Sequence, residues 1–185
     1  MAKIIKVLGR QVFDSRGNPT VEAEVYLSNK TKASAIVPSG ASTGAYEAYE
    51  LRDGNKNYFL GKSVLNAVKN INTIINKSLK NTKVDDQKKI DQILLNLDGT
   101  DNKKKLGANA LLAVSLAVSK VAASSKKKEL YKNLGKKFLL PKPLVNIING
   151  GAHADNNLKI QEFMIRPDSA KNFMDAIEKC FLVIQ

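Results

Sequence analysis

Cysteine is nearly absent from this chain of 185 residues. The one thiol, Cys180, excludes an internal disulfide framework and suits a reducing cytosol. Within a helix its ordinary role is that of a small apolar side chain. Histidine also occurs once, at His153, and no Cys/His spacing suits zinc. Arginine is scarce: of 30 basic residues only Arg10, Arg16, Arg52 and Arg166 carry guanidinium groups. The formal charge of +13 is therefore lysine charge. It lacks the forked donors that read base edges, so no specific nucleic-acid recognition is expected and only weak attraction to polyanions remains. Long apolar runs are missing too. The nearest, ALLAVSLAVSKVAA from Ala110, is broken by Ser115, Ser119 and Lys120, so no membrane span is expected. The opening MAKIIKVLGR has neither a sustained apolar signal core nor a small-residue cleavage pattern.

What is present suffices for a globular core, since 43% of residues are hydrophobic. Residues 3 to 37 read as three antiparallel strands. TVEAEVYL alternates Val21, Ala23, Val25 and Leu27 with Glu22, Glu24 and Tyr26, giving one apolar and one wet face. Helices follow. Val64, Val68, Ile71, Ile75 and Leu79 recur at helical spacing, as do Ile90, Ile93, Leu94 and Leu97, closed by Asp98-Gly99. Residues 106 to 123 are apolar almost all round, as a helix buried on several sides would be. The lysine runs at 103–105 and 126–128 fall at helix edges, where solvated charge is the ordinary reading. The grammar then changes. KPLVNIING reads as a strand covered on both faces, IQEFMI as a second strand, and Asp168 or Ser169 as the cap of a helix carrying Phe173, Ile177 and Phe181. The expected organisation is one domain over 1–135 and an incomplete second unit over 141–185.

Two stretches carry chemistry. In VPSGASTGAYEAYELRDG the six residues Ser39-Gly40-Ala41-Ser42-Thr43-Gly44 cannot pack a core. They lack the Gly-Lys-Ser/Thr of a P-loop. Composition leaves two readings open: a plain turn, or a loop whose backbone and hydroxyls approach a ligand. In NGGAHADNNLKIQEF, His153 follows a turn at Asn149-Gly150-Gly151 and Glu162 sits in an apolar strand. A carboxylate there must be paired, metal-adjacent or protonated. Inside a barrel, either Gln161 or Glu162 would face the centre, with the His153 loop closing over the same space. A surface histidine and an outward glutamate on an edge strand are the competing reading. No nucleophile-elbow motif supports a serine hydrolase.

DSRGNPTVE, VPSGASTGAYEAYELRDG, LGANALLAVSLAVSK and NIINGGAHADNNLKIQEFMI together, in this order, resemble the enolase family, and the resemblance runs from about Ile5 to the last residue. It implies an α+β fold: a small N-terminal domain with a three-stranded antiparallel meander plus helices, then the truncated start of a β/α barrel with a ββαα opening. It also implies a lyase of glycolysis and gluconeogenesis that interconverts 2-phosphoglycerate and phosphoenolpyruvate with two Mg2+ ions. The small-residue loop is then an active-site lid. Ser42 matches the ligand of the second Mg2+ in the closed lid, with Ala41 beside the substrate. His153 matches a residue near the substrate phosphate, and Glu162 one near the substrate hydroxyl, with Gln161 next to it. Arg10 and Glu22 match positions of cross-subunit ion pairs in the family dimer, and the complete protein is expected to be a homodimer or a higher homo-oligomer. The family is cytoplasmic, with a cell-surface pool in some bacterial members.

The departures from the family pattern are Tyr46 on the lid, Asn55 after Asp53-Gly54, and Lys159 before IQEF. The family's carboxylates for the tighter Mg2+, its general-base lysine and its proton-donating glutamate have no match here. The 185 residues alone are therefore expected to be inactive, with an unstable, sticky piece after Pro141. The alternative is a non-catalytic binding module that uses the basic surface of the small domain.

Overall fold

The computed structural model describes residues 2–40 and 44–185. Three strands open the chain: β1 (Ile4–Phe13), β2 (Pro19–Leu27) and β3 (Lys32–Ile36). They form an antiparallel sheet in the order β1-β2-β3, with Val7 opposite Val25 and Ala23 opposite Ala35. The alternation read in β2 becomes its two faces. Val21, Ala23, Val25 and Leu27 are buried, and the opposite face carries Glu22, Glu24 and Tyr26.

Helices cover the buried face. The periodic segment after Gly61 forms α1 (Leu65–Asn70), a π-helical stretch at Ile71–Ile75 and α2 (Asn76–Leu79). It is followed by α3 (Gln87–Asp98), α4 (Ala108–Ser125) and α5 (Leu130–Leu134). The α4 helix is apolar and long enough to cross a bilayer by composition. Here it is the core helix, packed on β2 and β3 with Ala113, Val114, Ala117, Val118 and Val121 buried. Small side chains are buried on both partners, Ala23 and Ala35 in the sheet and Ala113 and Ala117 in α4.

The edge of β1 is closed by side chains rather than by a fourth strand. Asn72 Oδ1 accepts from Gly9 N (2.8 Å), its Nδ2 donates to Gly9 O (3.1 Å), and Asn76 Oδ1 accepts from Val7 N (2.8 Å). The backbone of β1 comes so close that a Cβ on Gly9 would lie 3.0 Å from Ile71 Cβ. The N-terminus of the helix is satisfied at long range as well. Gln11 Oε1 accepts from Val64 N, while the two oxygens of Asp53 accept from Leu65 N and Asn66 N, each at 2.9 Å. Asp98, 2% exposed, ends α3. Burial pushes its carboxyl up, but the Thr100 hydroxyl and the N–H groups of Leu106 and Thr100 outweigh this and hold it below the usual range.

The second unit comprises β4 (Val145–Asn149), β5 (Glu162–Ile165) and α6 (Phe173–Ile184). The two strands pair antiparallel. The expectation that β4 is covered on both faces does not hold here: its sheet has two strands, and Ile148, Phe163 and Met164 stay largely exposed. The cap of α6 is also corrected. Asn172, not Asp168 or Ser169, accepts from Asp175 N (3.0 Å), while Asp168 is drawn to Arg166 and Lys142. Cys180 is buried on α6 as an apolar side chain.

Candidate functional site

The connection between β4 and β5 builds the only place among the described residues where predicted site residues of the second unit meet. Gly150 N donates to Gln161 O (3.0 Å) and Gly151 N to Leu158 O (2.7 Å), so the loop doubles back along the start of β5. A Cβ at Gly150 would lie 2.5 Å from Ile160 O and 2.6 Å from Leu158 Cβ, which requires glycine there. A single 3-10 turn at Gly151–His153 then swings the imidazole toward the strand. The turn does not push His153 out into water; it folds the ring onto β5.

Both ring nitrogens are engaged. His153 Nδ1 lies 2.8 Å from Glu162 Oε1, and Nε2 lies 2.5 Å from Gln161 Nε2. An amide nitrogen can only donate, so Nε2 is the acceptor and Nδ1 carries the proton toward the carboxylate. Strand alternation would have aimed only one of Gln161 and Glu162 at this space. Both reach it because Gln161 precedes the regular strand, whose first residue is Glu162. The pairing answers what the sequence asked of Glu162: the carboxylate is paired, and it is half-buried.

The other predicted residues lie elsewhere. Arg10 and Glu22 face each other across β1 and β2, with Arg10 Nη1 3.0 Å from Glu22 Oε2. They belong to a larger network that the sequence reading missed. Glu24, 8% exposed, accepts from Arg10 Nη2 (2.6 Å) and the Tyr26 hydroxyl (2.7 Å), and Lys32 Nζ lies 3.2 Å from its other oxygen. The Tyr26 hydroxyl and then Arg10 lower the Glu24 carboxyl to about 2, against burial. Hydrogen bonds to Glu24 and then Glu22 raise Arg10 further above its usual range. A glutamate amid alternating charges on a wet strand face gave no sign of this concentration. Ala41 and Ser42 lie outside the described residues.

Ser39, Glu50 and Arg52 form a linked set of contacts. Ser39 Oγ donates to Glu50 Oε1 (2.7 Å), Arg52 Nη2 bonds both Glu50 Oε1 (2.7 Å) and Ser39 Oγ (3.1 Å), and Arg16 Nη2 donates to Ser39 O (2.7 Å). Asn109 holds the next turn of chain by bonding both N and O of Leu51. The contacts of Ser39 and Asn109 were not foreseen, because they join residues distant in sequence. Among the described residues no group of three or more His, Cys, Asp or Glu side chains could hold a metal ion. These residues alone therefore do not fit a Mg2+ site.

The fold is thus of the α+β class: a three-stranded meander covered by helices, then an antiparallel strand pair and a helix, with a histidine folded onto a carboxylate at the turn between the two strands. Residues 4–134 match the family model described as the enolase N-terminal domain, and residues 137–184 that of the enolase C-terminal TIM barrel domain. The chain belongs to the enolase family. It is 62% identical, over 186 aligned positions and its whole length, to the enolase of Pelagibacter ubique. It spans 44% of that relative's length.

Proposed function

We propose that this chain is the N-terminal part of an enzyme that interconverts 2-phosphoglycerate and phosphoenolpyruvate, and that His153, Gln161 and Glu162 belong to its substrate pocket. The carrying observation is the His153–Glu162–Gln161 cluster at a glycine turn that tolerates no side chain. Removing a proton beside a carboxylate raises negative charge on a substrate already bearing a phosphate. The site must therefore meet that charge with preorganised donors and cations. Mg2+, held by carboxylates of the whole protein with Ser42 joining on lid closure, would supply the concentrated positive charge. His153 contributes a hydrogen-bonding ring at the phosphate end once it parts from Glu162. Glu162 and Gln161 contribute polar groups at the hydroxyl that departs. By the family match, Ala41 would contact the substrate, and exclusion of water there would sharpen the site's electrostatics. In a homodimer, Arg10 and Glu22 would exchange their mutual pairing for partners on the second subunit.

The isolated 185 residues lack a metal cluster among the described residues and are expected to give no turnover. The test is phosphoenolpyruvate absorbance with Mg2+, comparing these residues with a whole protein that contains them. Turnover by the whole protein that Glu162→Gln lowers about 100-fold or more supports the assignment. Turnover by the short chain, or an undiminished Glu162→Gln whole protein, would overturn it.

A further inference from the structure

We propose that a lysine-lined hollow on the α+β unit is a binding site for a linear oligophosphate anion. The hollow, of about 600 Å3, lies where the start of β1, the turn after α2 and the first turn of α3 meet. Lys3, Lys80, Lys83 and Lys89 line it. None of the four ammonium groups has a carboxylate partner among the described residues.

Their placement is unfavourable without an anion. Lys3 and Lys83 stand opposite each other in an antiparallel bridge, where like charges destabilise the pairing. The main chain fixes them there. Ile4 N donates to Thr82 O (2.9 Å), Asn81 N to Ile4 O (2.8 Å) and Val84 N to Ala2 O (3.2 Å). Lys89 sits in the first turn of α3, where the positive end of the helix dipole disfavours a cation. The one carboxylate in the lining, Asp86, is occupied as the helix cap, accepting from Lys89 N at 3.0 Å. The hollow is thus strongly positive, rigid in its backbone and open to solvent.

The chemistry of the lining narrows the ligand. Asn81 and Thr82 add neutral hydrogen-bonding groups, and no arginine or aromatic side chain takes part. Without a guanidinium fork or a stacking surface, the hollow reads neither base edges nor base faces. Several separated ammonium point charges suit successive phosphates along one chain better than a single carboxylate. This inference is independent of the catalytic reading and stands or falls without it.

The experiment is calorimetric titration of the 185-residue chain with inorganic tripolyphosphate at physiological ionic strength. Parallel titrations use orthophosphate and a mixed-sequence single-stranded oligonucleotide. One equivalent of tripolyphosphate should bind, more tightly than either comparison anion. Lys83→Gln/Lys89→Gln should weaken it about tenfold or more. Lys56→Gln/Lys104→Gln, which removes the same charge away from the hollow, should change it less than about twofold. Circular dichroism should be unchanged in both variants. No saturable binding, or equal losses in the two double variants, would overturn the site. Tighter binding of the oligonucleotide would overturn the ligand class in favour of a nucleic-acid surface.

Discussion

The edge of β1 offers the sharpest test of how this fold is held. Asn72 forms two hydrogen bonds with the main chain of Gly9, at 2.8 and 3.1 Å, and Asn76 forms one with Val7 at 2.8 Å. Replacing Asn72 by Leu fills similar volume but strands an N–H and a C=O that are partly shielded by the π-helical turn. Each such group costs about 1–3 kcal/mol when left unpaired, and water reaching the edge would recover part of that. The expected loss is about 2–4 kcal/mol, a large fraction of the roughly 5–15 kcal/mol that holds a domain together. Urea unfolding followed by far-ultraviolet circular dichroism measures it. Amide exchange gives the local readout: Gly9 N–H should lose protection while Val7 N–H, still bonded to Asn76, keeps most of its own. Asn72→Asp, which retains the acceptor and loses the donor, should fall between the two. A loss below about 0.5 kcal/mol for Asn72→Leu, or unchanged Gly9 exchange, would refute the view that side chains stand in for a fourth strand.

Three further outcomes follow from particular contacts. Glu24 is depressed from 4.5 to about 2, so its contribution is fully present above pH 4.5 and disappears as pH falls through 2; Tyr26→Phe should move its carboxyl titration upward in an NMR pH series, and an unmoved midpoint would contradict the assigned cause. Gly150→Ala places a Cβ 2.5 Å from Ile160 O, so the turn must open and the His153–Glu162 contact should vanish, read as loss of the through-space NMR contact between them. Asp53→Ala removes the acceptor for two N–H groups at the start of α1 and should cost about 1–2 kcal/mol in urea unfolding, an Asp53→Asn variant recovering part of it.

The elements of the α+β unit were legible because each is decided locally. Alternation at Val21, Ala23, Val25 and Leu27 leaves one register that buries them all. The same holds for the all-round apolar α4, whose burial between sheet and helices its composition already required. What stayed hidden were contacts that close sequence distances of dozens of residues. Asn72 and Asn76 look like ordinary polar positions on a helix face, and only the folded chain shows them facing the edge of β1. The π-helical stretch at Ile71–Ile75 breaks no periodicity that residue spacing reveals, since Ile71, Ile75 and Leu79 are all buried. Asp53 belongs to the stretch ELRDG, yet its role as a cap for α1 depends on tertiary placement.

The site divides along the same line. That Glu162 had to be paired, metal-adjacent or protonated followed from desolvation, whereas the need for glycine at position 150 shows only in the folded turn. Which partner Glu162 takes depended on a loop that doubles back on itself through the Gly150–Gln161 and Gly151–Leu158 bonds. The contrast between units then has one physical cause. In the first, strands and helices bury each other's apolar faces, and Ile4, Val25, Ile71 and Val114 are fully excluded from water. In the second, Leu139, Leu140, Met174, Leu182 and Val183 remain largely exposed, and among the described residues β4 and β5 pair as strands with each other alone. A site built on that pair is positioned by main-chain bonds within its own turn rather than by a surrounding core. Its local geometry therefore rests on the Gly150–Gln161 and Gly151–Leu158 bonds, which is why Gly150→Ala is the substitution that reaches it.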